Sequence, residues 1–183
     1  MDRQHRGLRL IRGNAIELTV DIEKQLEYLI SNILFGGIKN RNIEENQHEA
    51  RGEVRFFEDF ILNTNHLTFG SKLKIFRSLY DTCSFFNDVK EECKTLATNI
   101  RKVIEWRDRF AHGEIAFKTT ESGVTKEPYL FYYHDNKQKE QILNNKFFDE
   151  EINPLFSETH KSITNIRTKV NEKFKDDKPN FLF

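Results

Sequence analysis

Between Val89 and Ala111, apolar side chains fall at Val89, Cys93, Leu96, Ala97, Ile100, Val103, Ile104, Phe110 and Ala111. Steps of three, four and seven residues put them on one face of a helix, so the stretch predicts a long amphipathic helix with that face buried. One residue breaks the pattern. At ~100° per residue, Arg107 falls within about 20° of Ile100 and Val89, near the middle of the apolar face. A guanidinium is never neutralised and is costly to bury without partners. Either an acid meets it there, or the apolar face gives way to a cleft. His112 follows about a turn later, just before Gly113, which is suited to capping a helix. An obligate cation and a titratable imidazole on adjoining turns are the makings of a phosphate site.

The flanking sequence predicts a helical bundle around this element. Residues 1–13 form a basic arm with Arg3, Arg6, Arg9 and Arg12, either touching RNA or a partner or simply solvated. Asn14 is a fair N-cap for a first helix to about Leu34, and Gly36-Gly37 should stop it. Residues 38–50 are polar and aperiodic, an exposed connection. A second helix is expected from about Val54 to Leu62, a third after Ser71, and the motif helix from about Asn87 to Ala111. Beyond Gly113, Glu114 to Lys118 and Tyr129 to Tyr133 are short β-prone runs separated by Thr119–Pro128. They predict a β-hairpin or extended flap within an insertion of about residues 114–147. A final helix from about Asp149 to Phe174 tolerates Pro154 in its first turn or so. Residues 175–183 are a tail whose Phe181-Leu182-Phe183 can dock on the core or a partner. The expected class is mainly α, with one domain over residues 14–174.

Composition narrows the function. At 183 residues the chain is long enough for one real core, and its seventeen Phe residues read mostly as core filling. Zero formal net charge leaves no global field to recruit nucleic acid, so any RNA contact must use local charge. Cys83 and Cys93 lack metal-ligand or CxxC spacing and read as small buried hydrophobes in a reducing compartment. Met1 to Arg12 is basic with no apolar run after it, and no window is long enough to span a bilayer. A cytoplasmic protein is expected.

The motif residues divide the chemistry among themselves. An imidazole suits general acid or base work, the role open to His112; alternatively its charge simply favours the helix C-terminus. Arg107 presents a planar fork suited to orienting a phosphate, or else pairs with an acid from another helix. Asp108 either fixes one of them by hydrogen bonding or is a plain surface acid. Arg109 lies about 180° from the apolar centre and is expected on the solvated face. Glu105 and Glu114 are near enough in sequence to supply the motif with an acid, or more simply read as surface charges. Tyr129, Phe131, Tyr132 and Tyr133 either stack bases or, more simply, pack the insertion on the bundle. No His, Cys and carboxylate cluster has ligand spacing, so neither metal nor cofactor is expected.

With these residues in view, the chain resembles a HEPN domain (higher eukaryotes and prokaryotes nucleotide-binding). That family is a four- or five-helix bundle carrying Arg-x(4–6)-His, often with Asn, Asp or His after the Arg and a small residue before the His. Here the match is Arg107-Asp108-Arg109-Phe110-Ala111-His112, approached through Phe69, Leu73 and Ile75-Phe76. The resemblance covers about residues 14–174. It implies a metal-independent endoribonuclease, a toxin or antiviral defence effector that dimerises so that two motifs face each other across an RNA substrate. Arg107 and His112 would be catalytic, with Asp108 in support. The substrate's 2′-OH would attack the adjacent phosphorus, and an inhibitor or defence-system protein would be the partner. The alternative within the family is a catalytically silent scaffold whose Arg/His pair organises a dimer interface. Relatives paired with a small nucleotidyltransferase carry a modifiable Tyr two residues after the His. Glu114 stands there in this chain.

Overall fold

The computed structural model describes residues 3–39, 56–62, 67–119 and 126–176. Four helices dominate: α1 (Arg3–Lys39), α2 (Phe69–Thr82), α3 (Lys90–His112) and α4 (Asn153–Asp176). Between α3 and α4 the chain lays down β1 (Glu114–Thr119), β2 (Lys126–His134) and β3 (Lys137–Ile142), an antiparallel sheet in the order β1-β2-β3. The fold is mainly α with a small β insertion directly after the motif helix.

By its internal contacts the chain divides into two compact units. The first comprises Met1–Ile22 and Arg101–Glu158, the second Glu23–Ile100 and Thr159–Phe183. In the second unit, α1 buries Leu26, Leu29, Ile30 and Ile33, and α2 buries Phe69, Leu73 and Phe76. Cys93, Leu96 and Ile100 of α3 and Ile163, Ile166 and Val170 of α4 are buried with them. Each set repeats at three, four or seven residues, as a one-faced helix requires. Lys72 is the exception, a buried lysine in α2. Its Nζ donates to Glu23 Oε1 at 2.6 Å and also to Glu27, both on α1. Burial works against the ammonium, but the hydrogen bonds and charges of the two carboxylates outweigh it and hold the pKa above the ordinary lysine value.

The first unit carries the sheet. Its buried side chains include Val103 and Phe110 from α3, Leu130 from β2, and Leu143, Phe147, Ile152 and Phe156 beyond the sheet. β1 and β2 pair with Glu114 opposite Phe131 and Ala116 opposite Tyr129. β2 and β3 pair with Tyr132 opposite Lys139 and His134 opposite Lys137. Asp135 and Asn136 turn the chain between β2 and β3 at φ 51° and 58°. Both residue types tolerate the left-handed region that a two-residue hairpin needs.

Several boundaries differ from the sequence expectations. α1 begins at Arg3 and runs through Gly13-Asn14, so residues 3–13 are helical and Asn14 caps nothing. A tertiary tie outweighs the local signal there: Arg12 Nη2 donates to the Gly113 carbonyl at 2.6 Å, and Ala15 is buried. The helix also passes Gly36-Gly37, because a glycine costs a helix only about 1 kcal/mol. Of the expected second helix, Phe57–Leu62 is a single π-helical turn, and 54–55 lie outside the described residues. α2 starts earlier than expected, at Phe69. Its N-cap is Thr68, whose Oγ1 accepts the Ser71 N–H at 3.2 Å. The insertion holds three strands rather than two, with Pro128 inside β2 and its carbonyl accepting from Leu143 N–H at 2.8 Å. A π turn at Phe148–Ile152 leads into α4, which holds Pro154 in its first turn, where a proline is tolerated. Of the expected connection over residues 38–50, residues 38–39 belong to α1 and 40–50 lie outside the described residues, as does the end of the tail with Phe181, Leu182 and Phe183.

Candidate active-site cleft

His112 is the last residue of α3, and the chain turns into β1 within two residues. Gly113 makes that turn possible. Its N–H closes the helix on the Arg109 carbonyl at 2.8 Å, and a Cβ there would run into that carbonyl. The same Cβ would also lie 2.7 Å from Leu130 Cδ1 and 2.8 Å from the Phe131 carbonyl oxygen. Only a residue without a side chain lets the strand leave the helix so tightly. Arg12 holds the Gly113 carbonyl from the other side.

A cleft of about 580 Å³ opens where α3 ends. The helix lines it with Glu105, Asp108, Arg109 and His112. The sheet supplies Glu114 and the end of β2, from Phe131 to His134, with Gln138 from β3. His112 and Asp108 are both exposed. Two predicted site residues therefore share the cleft.

Arg107 is not among the residues that line it. The guanidinium placed by periodicity at the centre of an apolar face is 41% exposed, and its carboxylate neighbour is Asp108 at 3.9 Å. The apolar face gives way at Arg107, though not to the cleft that His112 lines.

Arg109 is the cation in the cleft. Expected on a solvated face, its side chain is only 19% exposed. Its guanidinium carbon lies 4.5 Å from the centre of Trp106 and 4.9 Å from that of Tyr132. Those rings are inclined at 62° to each other. Trp106 also meets Phe147 edge to face at 5.1 Å, and Phe147 is buried. Glu105, expected to be a plain surface charge, reaches Arg101 Nε at 3.4 Å and Arg109 Nη2 at 3.6 Å. Helical periodicity missed Arg109 because the covering ring, Tyr132, comes from the sheet.

The β2 aromatics split between two jobs. Tyr132 packs against Trp106 at 6.3 Å, as expected of a residue that seats the insertion. Tyr129 and Phe131 stack at 6.3 Å with Lys118 Nζ 4.9 Å from both ring centres, and Tyr133 is 78% exposed. Among the described residues, no three His, Cys, Asp or Glu side chains are grouped to hold a metal ion. Nor is any described helix long and apolar enough to cross a membrane.

No family model, curated protein or solved structure matches the chain. The chemistry of the cleft carries the functional argument.

Proposed function

We propose that the protein is a metal-independent endoribonuclease of the HEPN kind, acting as a toxin or defence effector. The observation that carries this reading is the position of His112: exposed at the end of α3, on the wall of a cleft that also holds Asp108 and a guanidinium. An imidazole open to a cleft can take the proton from a ribose 2′-OH and return it to the leaving oxygen. The O2′–P bond forms as the P–O5′ bond breaks, leaving a 2′,3′-cyclic phosphate and a 5′-hydroxyl. No metal is called on, because the substrate supplies its own nucleophile.

Arg107 enters as a cation held ready outside the cleft of its own subunit. Half-exposed and only 3.9 Å from its nearest carboxylate, it is available to a phosphate shared across a two-fold homodimer. Two motifs facing each other would double the cations around one phosphorane and compensate for a chain of zero net charge. RNA and a second copy of the chain are the partners this reading requires. An inhibitor or defence-system protein follows from the toxin role, and the cytoplasm is where such substrates lie.

One observation favours a second reading. Three carboxylates, Glu105, Asp108 and Glu114, line the cleft, and Arg107 does not. A silent HEPN module using this end of α3 as a protein interface would carry such charges without needing to admit RNA. Expression separates the two readings. The wild-type chain arrests growth and His112→Ala does not if the protein is a ribonuclease; both are tolerated if it is a scaffold. Light scattering that finds a monomer well above micromolar concentration removes the composite site.

A further inference from the structure

We infer that Arg109 is a second phosphate-binding residue of this cleft, a clamp held in place by Trp106 and Tyr132. The inference rests on the ribonuclease reading for the identity of its ligand, a phosphodiester of single-stranded RNA. The geometry of the clamp stands apart from that reading.

Two aromatic rings hold the guanidinium at 4.5 and 4.9 Å, and Phe147 backs the Trp106 ring. The rings are inclined at 62° to each other, so the guanidinium lies flat on at most one of them, but a ring face takes up no conventional hydrogen bond from its five N–H donors. Glu105, the carboxylate paired with it, stands at 3.6 Å, beyond hydrogen-bond reach, and is shared with Arg101. The donor edge of Arg109 is therefore open while its long side chain is already ordered. Such a fork binds a tetrahedral oxyanion without first losing the freedom a loose arginine would lose. Arg109 also stands three residues before His112, on the same side of the last helical turn, and both line the cleft.

The neighbouring acids set the size of the ligand. Glu105 is bridged by Arg101 and Arg109, and Asp108 has Arg107 at 3.9 Å. Glu114 lines the cleft with no ion pair among the described residues. A clamp in this setting admits one phosphate beside an uncharged ribose and base, and repels a run of phosphates. Tyr133, exposed at the cleft wall, offers a ring to the adjoining base.

Trp106 is the chain's single tryptophan, so its emission reports directly on the clamp. The full-length protein is titrated with a short 2′-O-methyl oligoribonucleotide, which lacks the nucleophile for cleavage, and separately with inorganic phosphate. The wild type should show a saturable change with the oligonucleotide and a weaker one with phosphate. Arg109→Lys, which keeps the charge but neither fork nor stacking, should weaken oligonucleotide binding by about tenfold. Tyr132→Leu, which keeps Arg109 and removes one ring, should fall between the two. Lys102→Ala, an exposed cation of α3 outside the cleft, should bind like the wild type, and melting curves verify that each variant is folded. No response from the wild type to either probe overturns the clamp, as does equal binding by Arg109→Lys. If Arg109-dependent binding is found but RNA is never cut, the clamp stands and the ribonuclease reading falls. If RNA is cut in a His112-dependent way while Arg109→Lys binds and cuts like the wild type, the clamp falls and the ribonuclease reading stands.

Discussion

Gly113 donates its N–H to the Arg109 carbonyl at 2.8 Å, and that carbonyl occupies the space a Cβ on Gly113 would need. One contact thus ends the motif helix, starts the sheet and forbids a side chain where they meet. Gly113→Ala must move either backbone, at a cost of about 1–3 kcal/mol, and should disturb His112 with it. Gly13, in the middle of α1 with nothing within 4 Å of where its Cβ would stand, predicts the opposite sign. Gly13→Ala should stabilise by up to about 1 kcal/mol. Thermal melts of the two variants should shift in opposite directions, and a shared direction would refute this description of the turn.

The buried lysine makes a second prediction. Lys72→Met strands Glu23 and Glu27, whose side chains are 19% and 14% exposed, beside each other without a cation. A loss of about 3–5 kcal/mol in urea denaturation is expected, largely recovered when both glutamates are also changed to glutamine. Because the folded pKa of Lys72 lies above the ordinary value, its contribution is complete below that value. It is lost as the pH rises through the higher folded value. The wild type should therefore lose stability in strongly alkaline solution more steeply than the triple variant. Parallel pH profiles would contradict the ion-pair assignment.

The cysteines should differ in reactivity. Burial pushes the Cys93 thiol up to about 12, whereas Cys83 is only half-buried. In mildly alkaline solution, iodoacetamide should label Cys83 on the native protein and reach Cys93 only after unfolding. Equal labelling of both in the native state would place Cys93 outside the core.

Loss of activity without loss of fold is the expectation for the motif itself. His112 is exposed and Arg107 is 41% exposed, so neither supports the core. Arg107→Ala and His112→Ala should each abolish cleavage while shifting stability by less than about 0.5 kcal/mol. If Arg107→Ala unfolds the protein, a structural role for that guanidinium is the better description.

The motif helix is legible because its buried positions, from Val89 to Phe110, keep one regular helical period. β3 is not. Lys137 to Ile142 is mostly polar and exposed on both faces, so no alternation marks it. The usable signal was Asp135-Asn136, a pair that accepts positive φ and folds β2 back on itself. The helical start of α1 escaped for another reason. Arg12 is fixed by the Gly113 carbonyl, 101 residues away, and no local propensity encodes that tie. His112 and Asp108 were found by spacing, and both line the cleft. Helix geometry alone puts Arg109 in solvent, because it does not foresee a ring arriving from β2.

Metal-independent cleavage through the 2′-OH is tested by a digest of total and transfer RNA, and of an RNA with one 2′-deoxy position, by the wild-type protein in EDTA, with His112→Ala as control and end-group analysis of the fragments. Cleavage should survive the chelator, vanish in the variant, fail at a 2′-deoxy position and leave 2′,3′-cyclic phosphate and 5′-hydroxyl ends. Activity that EDTA abolishes, or fragments bearing 5′-phosphates, would contradict it.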